Sequence, residues 1–107
     1  MIHLSHVLPL IDKLIGTMSP KEAVQFKTYK KDRGFILYCI APNEFQIIEN
    51  GFKNENYLGD AVRIKKQAKK TLHREFPRSN NAWVAYFQDV ESPFDIKSHH
   101  AKQMNLF

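Results

Sequence analysis

The chain carries one cysteine, Cys39, so an internal disulfide is excluded. Cys39 lies in the apolar run Phe35-Ile36-Leu37-Tyr38-Cys39-Ile40. There a thiol serves as a small buried hydrophobe rather than as a nucleophile. No C-x-x-C, H-x-x-x-H or other closed ligand spacing occurs, so no metal and no cofactor are expected. No apolar run approaches the ~20 residues that a membrane-spanning helix needs. The opening Met1-Ile2-His3-Leu4 lacks the basic region of a signal peptide, and Pro9, Asp12 and Lys13 interrupt the apolar residues after it. A cytoplasmic protein with no membrane partner is the expectation. Gly-x-x-Gly loops, paired-aromatic RNA-recognition strands and internal repeats are also missing, which excludes the common nucleic-acid modules that depend on them.

What is present fits one ordinary domain. At 107 residues, with 43% hydrophobic and 25% charged residues, the chain can bury a core without metal or disulfide staples. Its net charge of +5 is unevenly placed. Between Asp60 and Arg78 there are seven Lys/Arg against two acids, a local excess equal to that of the whole chain. Such asymmetry points to a polyanionic partner.

Leu8, Ile11, Leu14 and Ile15 share one face of a helix over Leu4–Ile15, with Pro9 in its first turn and Gly16 as its stop. Ser19-Pro20-Lys21-Glu22 has the form of a capping box with proline at the first helical position. This predicts a second helix from Pro20 to about Lys31, ending at Gly34, with Ala23, Val24, Phe26 and Tyr29 facing inward. Phe35–Ala41, apolar on both faces, reads as a central strand. Pro42-Asn43 marks a turn, and Phe45–Glu49 reads as the return strand of a hairpin. Phe52–Gly59 reads as a polar connection. A third helix is predicted from the N-cap Asp60 to Glu75 or Phe76, stopped by Pro77, and a third strand over Ala82–Phe87. The expected fold is a small α+β domain of order α-α-β-β-α-β with an antiparallel sheet. Its globular part covers residues 1–90 and a polar tail covers 91–107, where Phe94 and Ile96 could still pack on the body.

On a helical wheel the third helix divides cleanly. Ala61, Ile64, Ala68, Thr71 and Leu72 form an apolar arc. Arg63, Lys66, Lys70 and Arg74 gather opposite, Lys65, Lys69 and His73 extend that side, and Arg78 comes just after Pro77. Cations in this arrangement suit phosphates, of DNA or RNA, with affinity but little sequence information. The competing reading is a solvated outer face, since Lys and Arg are good helix formers. Lys27, Lys30, Lys31 and Arg33 make a second patch, explicable by the dipole at the end of the predicted second helix. Trp83, Tyr86 and Phe87 are expected to serve as core.

The segment Gln103-Met104-Asn105-Leu106-Phe107 resembles the peptide by which many bacterial DNA polymerases and repair proteins hold the replicative sliding clamp. The resemblance implies that Leu106 and Phe107 fill a hydrophobic pocket, Gln103 makes directed hydrogen bonds, and Met104 adds a flexible apolar contact. Asn105 departs from the usual Ser or Asp at a tolerant position. At one stated position the pattern arises by chance roughly once in 10⁴ to 10⁵ sequences, which lifts it above background. The alternative is a tail whose last side chains fold back on the domain. The resemblance implies a bacterial, phage or plasmid source and a nucleoid-associated accessory or inhibitor of DNA replication or repair. It covers five residues only.

An active site is less evident. His99-His100 lie in the polar tail, and Glu44, Glu49 and Asp60 form no nuclease-like carboxylate set with a lysine. Two other classes remain open: a nucleic-acid-binding module without a clamp link, and a small ribonuclease-type toxin using His73, Arg74 and Arg78.

Overall fold

The computed structural model describes residues 1–31, 33–50, 54–77 and 79–93. The described strands form one antiparallel six-stranded sheet, with two helices packed on one of its faces. In chain order these are β1 (Ile2–His3), a single 3-10 turn (Leu4–His6), α1 (Val7–Thr17), β2 (Ala23–Lys27), β3 (Gly34–Ala41), β4 (Glu44–Asn50), β5 (Asn54–Gly59), α2 (Ala61–Glu75) and β6 (Asn81–Phe87). The spatial order is β1-β6-β2-β3-β4-β5. Strands β2 to β5 thus form a meander. The chain then crosses the sheet through α2, and β6 returns beside β2.

The chain is an α+β domain, but the expected order α-α-β-β-α-β is wrong. Apart from the two-residue β1, the order among the described residues is α-β-β-β-β-α-β, with two helices rather than three. The predicted second helix is the strand β2. Half of its capping box forms: the Ser19 amide donates to Glu22 Oε1 at 2.8 Å, while the Glu22 amide donates to the Ser19 backbone carbonyl at 3.1 Å, a turn bond rather than a bond to the Ser19 hydroxyl. Here it closes a turn, with Lys21 at φ 72°, and the chain leaves extended. The reason lies downstream. Val24 and Phe26 point at the helices while Gln25 and Lys27 point away, a period of two that the sheet rewards. The second correction is β5, read as a polar connection. It is an edge strand paired with β4 alone, so one face and one edge need no apolar residues. α1 also runs through Gly16 to Thr17 instead of stopping there. The β3–β4 hairpin, α2 with its N-cap Asp60, and β6 all stand where the sequence puts them.

The main core lies between the sheet and both helices. Val7, Ile11 and Ile15 of α1 and Ile64, Ala68 and Leu72 of α2 repeat at helical spacing and meet Val24, Phe26, Phe35, Leu37 and Ile47. Phe35 stacks on Phe26 at 5.0 Å and meets Phe76 edge-on at 6.1 Å. Cys39 is buried in this core. The other face holds a smaller cluster of Ala23, Ile36, Tyr38, Ile48 and Phe87. Val90 packs on it, and the Tyr38 hydroxyl donates to the Val90 carbonyl at 2.6 Å.

Gly34 starts β3 opposite Lys27, where the two backbones approach closely. A Cβ there would stand 2.1 Å from the Phe26 carbonyl oxygen. Gly34→Ala is therefore expected to cost about 1–3 kcal/mol, as overpacking does. A urea melt with an unchanged midpoint would contradict this.

Candidate nucleic-acid interface

α2 starts where Asp60 Oδ1 accepts a hydrogen bond from the Arg63 amide at 3.0 Å. Its inner side, Ile64, Ala68, Thr71, Leu72 and Glu75, is buried on the sheet. That anchoring fixes the direction of every other residue on the helix. Arg63, Lys66, Lys69 and Lys70 project into solvent, and His73 with them. Among the described residues no carboxylate pairs with these four cations. From Arg63 to Lys70 the helix rises about 10 Å, which spans roughly three phosphates of a duplex strand along its axis.

Three other predicted contact residues stand differently. Lys65 turns toward α1 and pairs with Asp12. Arg78 lies outside the described residues. Arg74 bends back to the sheet, where its Nε meets Glu49 Oε2 at 2.7 Å and its Nη2 meets Oε1 at 3.1 Å. This two-pronged pair is committed to the fold, so Arg74 is unavailable to a phosphate. It is likewise held apart from the exposed His73, with which a ribonuclease-type site would have to combine it.

The Arg74–Glu49 pair belongs to a buried polar network that sequence reasoning missed. Glu49 and Glu75 are each 1% exposed, and their carboxyls meet side chain to side chain. Arg33 on the β2–β3 hairpin donates from Nε to Glu75 Oε1 at 3.1 Å and from Nη2 to the Arg74 carbonyl at 3.2 Å. The Thr71 hydroxyl donates to Glu49 at 3.3 Å, the Tyr57 oxygen lies 3.4 Å from Glu49 Oε1, and Gln67 donates to Thr71. Two acids and two arginines thus offset each other in charge. Among the described residues every buried side-chain nitrogen or oxygen has a partner. Burial raises the Glu49 carboxyl above the ordinary carboxylate range; Arg74 opposes this and Glu75 adds to it. Glu55 accepts from the Tyr57 hydroxyl at 2.6 Å and is the main cause of a phenol pKa pushed up to about 12.

The second basic patch also changes meaning. Lys27, Lys30, Lys31 and Arg33 lie on a β-hairpin, not at a helix end, so no helix dipole accounts for them. Burial and the neighbouring Lys31 lower the Lys27 ammonium to about 8. Through Arg33 the hairpin is tied to the last turn of α2, so the two basic segments adjoin. Between the hairpin and the residues that follow α2 opens a cleft of about 610 Å³ with a mixed polar and apolar lining and Glu75 in its wall.

The three strand aromatics divide. Phe87 is buried as expected, but Tyr86 is 60% exposed and Trp83 is half-buried against the hairpin. Trp83 Nε1 donates to the Tyr29 carbonyl at 3.0 Å, and the two rings stack at 6.4 Å.

No family model matches the chain, and no curated protein or solved structure matches it. Its function has to be read from its own residues. Among the described residues, no group of His, Cys, Asp or Glu is placed to hold a metal, and no helix is long and apolar enough to cross a membrane. Gln103, Met104, Leu106 and Phe107 lie outside the described residues, as do Phe94, Ile96 and the pair His99-His100.

Proposed function

We propose that this chain is a non-enzymatic accessory or inhibitor protein of DNA replication or repair. The outward face of α2 contacts nucleic-acid phosphates, and residues 103–107 engage the bacterial sliding clamp. The observation that supports the first part is the one-signed surface formed by Arg63, Lys66, Lys69 and Lys70. An ordinary solvated helix mixes both signs. The only carboxylate within α2, Glu75, is buried with Arg33, so it does not offset this surface. The second part rests on the sequence of the pentapeptide alone.

The test of the first part is a triple substitution, Lys66→Gln/Lys69→Gln/Lys70→Gln. All three side chains are exposed and unpaired among the described residues, so the fold is expected to be unchanged by circular dichroism and melting. Affinity for nucleic acid should fall on the order of 100-fold at 0.1 M salt. The slope of log K against log salt should flatten by about 0.9 for each phosphate that the variant no longer neutralises. Equal affinities for parent and variant would leave α2 as a solvated face.

A further inference from the structure

The cleft beside the β2–β3 hairpin has features that phosphate contact along α2 does not use. Tyr29 stands on its rim and is 67% exposed, unusual for an aromatic in a folded domain. It is held in place rather than loose. The Thr28 amide donates to the Arg33 carbonyl and the Lys31 amide to the Thr28 carbonyl, both at 2.9 Å. Lys31 adopts a left-handed conformation, φ 63°, that closes the turn. The Tyr29 carbonyl takes the Trp83 indole hydrogen, and one face of its ring rests on Trp83. Lys31 Nζ lies 4.9 Å from the centre of the Trp83 ring, and Lys30 is exposed beside the cleft. The opposite wall carries Asn80 and Asn81, whose amides can both donate and accept. Glu75 is paired with Arg33, so it presents no uncompensated negative charge to an anion.

A fixed exposed ring, flanking lysines, amides opposite and a concave volume of mixed polar and apolar lining together suit one unstacked nucleotide. A base inside a duplex is covered on both faces and cannot offer one to Tyr29. We propose that this cleft receives the base of an unpaired nucleotide by stacking on Tyr29, with Lys30 and Lys31 beside its phosphates, so the chain binds single-stranded nucleic acid more tightly than duplex. The inference deepens the reading of α2 as a phosphate-contacting face and rests on it.

The test measures full-chain affinity for a labelled oligothymidylate and for a duplex of equal length. The variants are Tyr29→Ala, Tyr29→Phe and the triple substitution Lys66→Gln/Lys69→Gln/Lys70→Gln. Tyr29→Ala should weaken single-strand binding about 5- to 150-fold, leave duplex binding unchanged and keep the parental melting temperature. Tyr29→Phe should retain parental affinity. Trp83 is the only tryptophan and stacks on Tyr29, so oligothymidylate should quench its emission in the parent chain. The proposal is overturned if Tyr29→Ala leaves single-strand affinity intact, weakens both forms equally, or if an acidic peptide occupies the cleft in place of the oligonucleotide. Should Tyr29→Ala change nothing while the triple variant loses both forms, the cleft inference fails and the α2 reading stands. If the parent binds neither form, both fall.

Discussion

Arg74→Ala is expected to destabilise the fold by about 3–5 kcal/mol at neutral pH, the usual cost of leaving a buried charge without its partner. Glu49 and Glu75 touch in a region where each is 1% exposed, and Arg74 is the cation that holds Glu49 from two sides. Without it, two carboxyls face each other with Arg33 as their only close cation among the described residues. The sign of the pH dependence comes from the raised Glu49 pKa. The folded chain binds this proton more tightly than the unfolded chain does. The stability contributed by the group is therefore complete below the ordinary value of 4.5 and is lost as pH rises through the folded-state pKa. Arg74→Ala should be least stable at neutral pH and should recover part of its loss as pH falls toward 4.5. Glu49→Gln in the Arg74→Ala background should restore stability and remove that pH dependence. Urea denaturation of the four members of this cycle at pH 7 and pH 5 measures both effects. A loss under about 1 kcal/mol, flat with pH, would show that the pair is a surface-type contact.

Removal of residues 103–107 should abolish binding to a bacterial sliding clamp and leave nucleic-acid affinity as it was. Short anchors of this kind concentrate their binding energy in a few apolar side chains. Leu106→Ala or Phe107→Ala alone should each weaken clamp binding about 30-fold or more, at the hot-spot level. Gln103→Ala should cost less, because it removes directed hydrogen bonds alone. Calorimetric titration of the purified clamp with the full chain and with each variant gives these numbers. Clamp binding that survives the deletion would place the contact elsewhere. No binding by the parent chain would remove the clamp from its function, while the α2 surface would remain to be judged on nucleic acid.

The sequence made some parts of this molecule legible and hid others for identifiable physical reasons. α2 is readable because Asp60, a fifteen-residue amphipathic pattern and Pro77 agree with one another. β3 and β4 are readable because a buried apolar run, a Pro-Asn turn and a second apolar run come in order. β2 is mistaken for a helix because a local signal is real but limited: Ser19 and Glu22 do bond, and the alternation of Val24 to Lys27 then prevails through the sheet. β5 escapes notice because an edge strand tolerates the asparagines and glutamate that make it look like a loop. At the candidate site, the excess of cations can be read directly, but their commitments cannot. Arg74 meets a partner 25 positions away and Tyr29 one 54 positions away, and no local pattern encodes either contact. Trp83 looks like core in the sequence because composition does not show that its strand lies between a hairpin and the short β1.

The most direct measurement is the affinity of the unmodified full chain for an oligonucleotide across a series of salt concentrations. Four exposed cations on α2 predict a straight line of log K against log salt with a slope of roughly −3 to −4. No measurable binding at low salt, or binding insensitive to salt, would contradict the assignment of that face to nucleic-acid phosphates.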